Sequence, residues 1–265
     1  MLRLEEIGYT LGTALLLRIL YVVADLICRN KPQYETDKKR RVFVVRIVSF
    51  THAFVTGCGS LLAFYLYPQL AQDAYGYTCD YVRVLACFSM GYFVHDISDM
   101  IIYGEAPTSK EYILHHSLAL GGFIGILSSG CLFGLAMIGL LAEVHTIFLH
   151  VRTMMRVNGL NRGNSNVYRN VMMANFVALF FFRHLATLWL LFFLGARAKQ
   201  APLLLRLFLF AGTSFLFYHN CHLQYRLLKT EGYLSKLSKK EMAAMDEEDP
   251  LVVTPVEEEA EKKSQ

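Results

Sequence analysis

A chain of 265 residues with a net charge of +4, 54% hydrophobic, 13% aromatic and 18% charged, with a mean hydropathy of +0.35, is too apolar for a soluble or a disordered protein. Its length excludes a second globular domain, because about seven crossings at roughly 20 residues each would use about 140 residues and leave only short loops and a tail. Cys28, Cys58, Cys79, Cys87, Cys131 and Cys221 share no framework spacing and mostly fall inside apolar runs, which excludes a disulfide scaffold.

The sequence therefore predicts an all-α integral membrane protein. Apolar windows at 7–27, 43–66, 82–103, 112–129, 131–151, 171–194 and 203–225 are each long enough to span a bilayer, giving about seven transmembrane helices. Between the fourth and fifth, only Ser128, Ser129, Gly130 and Cys131 are available to turn the chain. The alternatives are a tight hairpin or one long helix, and the stretch from Tyr112 to Val151 is long enough to favour the hairpin.

Basic residues orient these spans. Arg29, Lys31, Lys38, Lys39, Arg40 and Arg41 mark the first connection as cytoplasmic, whereas the second holds Asp73 and Asp80 and no Lys or Arg before Arg83. Alternation then puts Arg152, Arg156, Arg162 and Arg169 inside, together with a tail bearing Arg226, Lys229, Lys236, Lys239 and Lys240. The N-terminus is expected outside. Only Arg3, Glu5 and Glu6 precede the first apolar run, so the basic start of a secretory signal is missing and the first span is read as retained. After about Leu237 the chain turns acidic, with Pro250 and Pro255 and no apolar period, as a disordered tail would. No Gly-rich phosphate loop or basic-aromatic pattern suggests a nucleic-acid partner.

A charged residue near mid-bilayer costs roughly 2.5 to 3.5 kcal/mol on insertion scales, while a Leu or Ile recovers only about 0.3 to 0.6. Polar residues inside the spans therefore need a reason. In the third span, Tyr92, His95, Asp96, Asp99 and Tyr103 fall within an arc of about 100° at helical periodicity. The fourth opens with His115 and His116, the fifth carries Glu143, Thr146 and His150, and the seventh His219, His222 and Arg226. With this topology all four sets lie in the cytoplasmic half, and Arg183 and His184 of the sixth span supply its deep end. The reading is a polar cavity that opens toward the cytoplasmic leaflet and holds a lipid headgroup or an acyl carbonyl.

Plainer readings compete with this one. His95 and Asp99 would also suit an interhelical clip. Adjacent histidines diverge by about 100°, so His115 and His116 do not point at one atom. Arg46, Arg152, Arg156 and Arg206 stand near span ends, where snorkelling is the default. Arg18 and Asp25 of the first span suggest pairing with neighbours or headgroups. A di-iron site is rejected because His219 and His222 alone have the close spacing such a site repeats, so no metal and no cofactor are predicted.

Three stretches are distinctive: Gly91-Tyr92-Phe93-Val94-His95-Asp96, Glu111-Tyr112-Ile113-Leu114-His115-His116, and Glu143 through Met155, which reads EVHTIFLHVRTMM. Together they resemble the TLC-domain family, which includes the ceramide synthases and the TRAM translocation proteins, over about Lys39 to Leu228. The resemblance implies a first helix and basic loop in 1–38, a TLC domain of six helices in 39–228 forming a barrel around a polar cavity, and a charged tail in 229–265. Within the family the likeness is to the small TLC-domain proteins, described as plasma-membrane regulators that limit polyunsaturated acyl chains in phospholipids such as phosphatidylethanolamine and so restrain fluidity. Membrane phospholipids are then the expected partners, with no demonstrated enzymatic activity.

In ceramide synthases a His pair is followed by a His-Asp-x-x-Asp group. Counting the same distance from His115 lands on Ala142, Glu143 and Ile147, so one acid of the two is kept. If acyl transfer occurs, the resemblance implies acyl-CoA as partner, His115 or His116 as base or acyl acceptor, and Glu143 as its orienting acid. A third alternative is a lipid carrier or translocation accessory without chemistry. The subfamily implies the plasma membrane, whereas Lys262 and Lys263 near the carboxyl end match a dilysine retrieval signal for the endoplasmic reticulum.

Overall fold

The computed structural model describes residues 2–34 and 36–234, and among them regular structure is entirely helical. The main helices are α1 (Leu4–Arg29), α2 (Asp37–Leu66), α3 (Asp80–Ile102), α4 (Lys110–Ser129), α5 (Phe133–Val157), α6 (Asn166–Arg197) and α7 (Leu203–Thr230). The first six are long and apolar enough to cross a membrane. The seventh has 28 residues, about 42 Å at 1.5 Å per residue, and carries a polar run from His219 to Arg226 in its second half.

Local signals explain the helix ends. Thr36 caps α2 by accepting from the Lys39 amide at 3.3 Å, and Ser165 caps α6 by accepting from the Tyr168 amide at 3.2 Å. The cap at Thr36 makes the first connection shorter than the expected 29–41, so Lys38, Lys39, Arg40 and Arg41 form the first turns of α2. The fourth and fifth spans form the hairpin: Gly130 closes α4 at φ +71°, and Leu132 adopts φ +69°. A leucine in that region is held from outside; its amide donates to the Tyr75 carbonyl at 2.7 Å and its side chain is wholly buried.

Helices α2 to α7 close into a ring. In order around it, α2 packs on α3, α3 on α4, α4 on α7, α7 on α6, α6 on α5, and α5 back on α2. The first half of α5, Phe133–Leu140, is buried on nearly every side and touches α2, α3, α4 and α6, which plugs one end of the ring. Helix α1 lies outside, against α2 and α3. At Gly91 of α3 a side chain would stand 2.6 Å from the Thr13 Cβ, so glycine permits this approach. Ion pairs fasten α1 near its start and at its middle: Glu6 with Arg83, and Arg18 with Asp99 at 2.9 Å. Asp25 instead pairs with Arg40 at 2.8 Å.

One sequence expectation changes here. Arg152 does not snorkel: it is 1% exposed and pairs with Glu231 just beyond α7 at 2.8 Å. Tyr168 donates to the same carboxylate at 2.7 Å. The acid lies outside every span, so the span alone gave no partner for this arginine. The disordered tail and the Lys262-Lys263 signal fall, from residue 235 onward, outside the described residues.

Candidate functional site

The ring encloses two chambers that meet end to end. The polar chamber, about 110 Å³, lies at the end that carries the basic connections, and the apolar chamber, about 150 Å³, lies between it and the α5 plug. His115, Glu143 and Arg183 border both, so they mark the junction. Beyond them the wall is Phe93, Leu118, Phe123, Ile126, Leu135, Leu190, Leu209 and Leu216, a lining suited to hydrocarbon.

Of the residues singled out in the sequence, Tyr92, Asp96, Asp99, His115, His116, Glu143, Thr146, His150, Arg183, His219 and His222 line the polar chamber. His95 and His184 do not. His95 lies on the α3 side near Arg18 and Asp99, one position and about 100° from Asp96. His184 is turned from Arg183 by the same angle and packs edge-on to Phe217 with ring centroids 6.1 Å apart. One residue step separates a chamber wall from a helix interface in both cases.

Each wall is held by a distinct set of contacts. Arg183 lies in a π-helical stretch, Leu179–Leu185, a geometry common at functional positions. Its Nη1 donates to Asn220 Oδ1 at 3.0 Å and its Nη2 to Thr146 Oγ1 at 2.9 Å, fixing the guanidinium between α5 and α7. His116 Nδ1 lies 2.9 Å from Asp96 Oδ2. The His115 ring stacks toward His219 with centroids 6.0 Å apart. The His pair thus diverges as helical geometry requires, one ring toward α3 and the other toward α7, yet both face one chamber. Glu143 stands 3.9 Å from His52 Nδ1, and His52 stacks on Tyr92 at 3.9 Å between centroids. Tyr92 donates to Ser49 Oγ at 3.0 Å.

Asp99 is turned mainly outward, accepting from Arg18 Nη1 and from Arg41 Nη2, each at 2.9 Å. Arg41 also donates to Glu105 at 2.7 Å and stands 3.7 Å from the centre of the Tyr103 ring. Among the described residues, no group of three or more His, Cys, Asp or Glu is arranged to hold a metal ion.

The sequence reading missed Arg46, Glu105 and His52. Arg46 lines the chamber rather than snorkelling. The signal was present: Ser49, His52, Thr56 and Ser60 recur at helical spacing on α2 and are all buried, a polar stripe that had to face inward.

The sequence profile of the TLC domain matches residues 42–229. The chain belongs to the TLC-domain family. Its TLC domain thus takes in the six ring helices, and α1 precedes it. The chain is 30% identical to TLC domain-containing protein 2 of Danio rerio over 195 residues, covering 73% of this chain and 78% of that protein. It is 34% identical to TLC domain-containing protein 1 of Gallus gallus over 138 residues, covering 52% of this chain and 54% of that one. With TLC domain-containing protein 1 of Homo sapiens it shares 35% over 143 residues, 52% and 55% of the two chains. The matched stretch spans about half the length of these protein 1 relatives.

Proposed function

We propose that this TLC-domain protein regulates membrane phospholipid composition, limiting polyunsaturated, fluidising acyl chains in lipids such as phosphatidylethanolamine, and that it does so by holding a lipid in the two-chamber cavity. The observation that carries the reading is the junction, where His115, Glu143 and Arg183 border a polar and an apolar space at once. A headgroup finds hydrogen-bond partners on one side and an acyl chain finds hydrocarbon on the other, with the ester level beside the junction. The direction of the effect comes from the likeness to the small TLC-domain proteins. The test is lipidomics of a null cell rescued with wild type, His115→Ala, His116→Ala or Glu143→Ala. Polyunsaturated phosphatidylethanolamine rises in the null and falls with wild type, and the variants reach the membrane without restoring it. A null that changes ceramides alone overturns the reading.

A second reading, acyl transfer from acyl-CoA, is favoured by one contact. His116 lies with Nδ1 against the Asp96 carboxylate in the chamber wall, an arrangement that supports an imidazole acting as base. Purified protein given oleoyl-CoA and a lysophospholipid releases free thiol under that reading; no release, with lipid still bound, leaves a carrier without chemistry. The location proposed with the first reading is the plasma membrane. A fluorescent fusion with a free C-terminus tests it: reticular signal that moves to the surface when Lys262 and Lys263 become Ser assigns the endoplasmic reticulum instead.

A further inference from the structure

Gly122 of α4, Gly139 of α5 and Gly212 of α7 border the apolar chamber. Gly122 and Gly212 make room for a neighbour. A Cβ at Gly122 would stand 3.1 Å from the Leu209 side chain and one at Gly212 4.0 Å from Leu118, whereas one at Gly139 would meet nothing within 4 Å. On the same helix Gly134 is a packing glycine, its Cβ position 2.5 Å from backbone atoms of Leu70 and Ala74. Glycine is a poor helix former, and inside a membrane its usual return is the close approach of another helix. At Gly139 no helix approaches. The residue is exposed between the partly buried Ile138 and the buried Leu140, and the space it faces is the chamber.

We infer that Gly139 is a specificity-determining residue: it leaves a notch in the chamber wall that takes the sideways bend of an acyl chain whose cis double bonds begin near its ester. The inference rests on the lipid-holding reading above and names the class of chain that is accepted. Leu135, Gly139 and Glu143 succeed one another at four-residue spacing, so they stack on the inner face of α5, and all three border the chamber. Glu143 marks the junction and Leu135 stands toward the plug, and the step between them on that line carries no side chain. The notch therefore lies one helical turn, about 6 Å, below the junction. That is the depth of the carbons next to the ester when the headgroup occupies the polar chamber. A straight saturated chain needs a bore of one width, whereas a cis double bond turns the chain off its axis and needs lateral room where the first bend falls. The rest of the wall is hydrocarbon, Phe123, Leu190 and Leu209 among it, so the group that fills the notch is apolar.

The test compares a saturated chain with one whose cis double bonds begin close to the ester. Full-length protein in detergent is titrated with stearoyl and with arachidonoyl lysophosphatidylethanolamine, and bound species are counted by native mass spectrometry. Wild type is expected to bind the two within about threefold of each other. In Gly139→Val the arachidonoyl species weakens by about tenfold or more, the scale on which an apolar pocket discriminates single carbons, while the stearoyl species keeps its affinity, which shows that the fold and the chamber are intact. Gly139→Ala adds one carbon to open space and gives a smaller loss of the same kind; it carries the test if the valine variant melts early. Substitutions that weaken both species alike, or that change neither, overturn the notch and leave the lipid-holding reading standing. So does a wild type that binds the arachidonoyl species about tenfold more weakly than the stearoyl. Failure of both species to bind wild type overturns the notch and the lipid-holding reading together.

Discussion

Asp96 and Asp99 lie on the same stripe of α3, less than one turn apart, yet they do different work. Asp96 meets His116 at 2.9 Å inside the chamber, whereas Asp99 meets Arg18 and Arg41 at 2.9 Å each and ties α1 and α2 to α3. Asp99→Ala leaves two guanidiniums without their shared acid in a largely buried place and is expected to cost about 3 kcal/mol. Its folded yield and melting temperature, followed by fluorescence-detected size exclusion, fall sharply. Asp96→Asn keeps shape and yield and loses the lipid phenotype in a rescued null. Similar yields and similar phenotypes for the two would show that the division is wrong.

Glu231 fastens the far end of α7. It receives Arg152 Nε at 2.9 Å and the Tyr168 hydroxyl at 2.7 Å, and its backbone carbonyl receives Arg162 at 3.0 Å. Glu231→Ala strands the buried Arg152 and is expected to cost about 3 to 5 kcal/mol, and Tyr168→Phe about 1. A double-mutant cycle between Arg152→Ala and Glu231→Ala, read as melting temperature, gives a double variant much less unstable than the sum of the singles. Additive losses would dissolve the pair.

The inward faces of α3, α4, α5 and α7 were legible because a polar stripe in a span is too costly to leave in lipid. Which polar residue of a stripe faces the chamber was less legible. His95 against Asp96, and His184 against Arg183, differ by one position, and that step depends on how each helix is rotated against its neighbours. Arg46 and Arg152 stand where arginine usually snorkels, and their settings come from the closed ring and from an acid outside every span. The ring order is a tertiary fact with no periodic trace in the chain. The hairpin at Gly130 was legible, whereas the left-handed Leu132 was not, since its cause is a hydrogen bond to distant Tyr75.

Gly57 of α2 sets the height of Glu143. A Cβ there would stand 2.9 Å from the Val144 nitrogen and 3.1 Å from the Glu143 carbonyl carbon, both backbone atoms. Backbone yields less readily than a side-chain end, so Gly57→Ala pushes α5 from α2 and moves Glu143 off the junction. The expected cost is about 1 to 3 kcal/mol with loss of the lipid phenotype. Gly12→Ala on the outer face of α1 meets nothing within 4 Å and is expected to change stability by no more than about 1 kcal/mol, toward greater stability. Equal tolerance at both positions, read by thermal melting, would remove the steric argument.

The orientation of the ring decides which leaflet meets the polar chamber. Its mouth is built from the start of α2, the 103–109 connection and the ends of α5 and α7, the end that holds Lys38, Lys39, Arg156 and Lys229, and positive residues favour the cytoplasmic side. The 67–79 connection lies at the other end. Cys79 is only partly exposed, so the better reporter is Thr78→Cys, which stands open beside it. An impermeant maleimide on intact cells is expected to label Thr78→Cys directly and Lys39→Cys, which is also exposed, only after permeabilisation. The reverse pattern puts the chamber against the outer leaflet and changes which pool of phospholipid it meets.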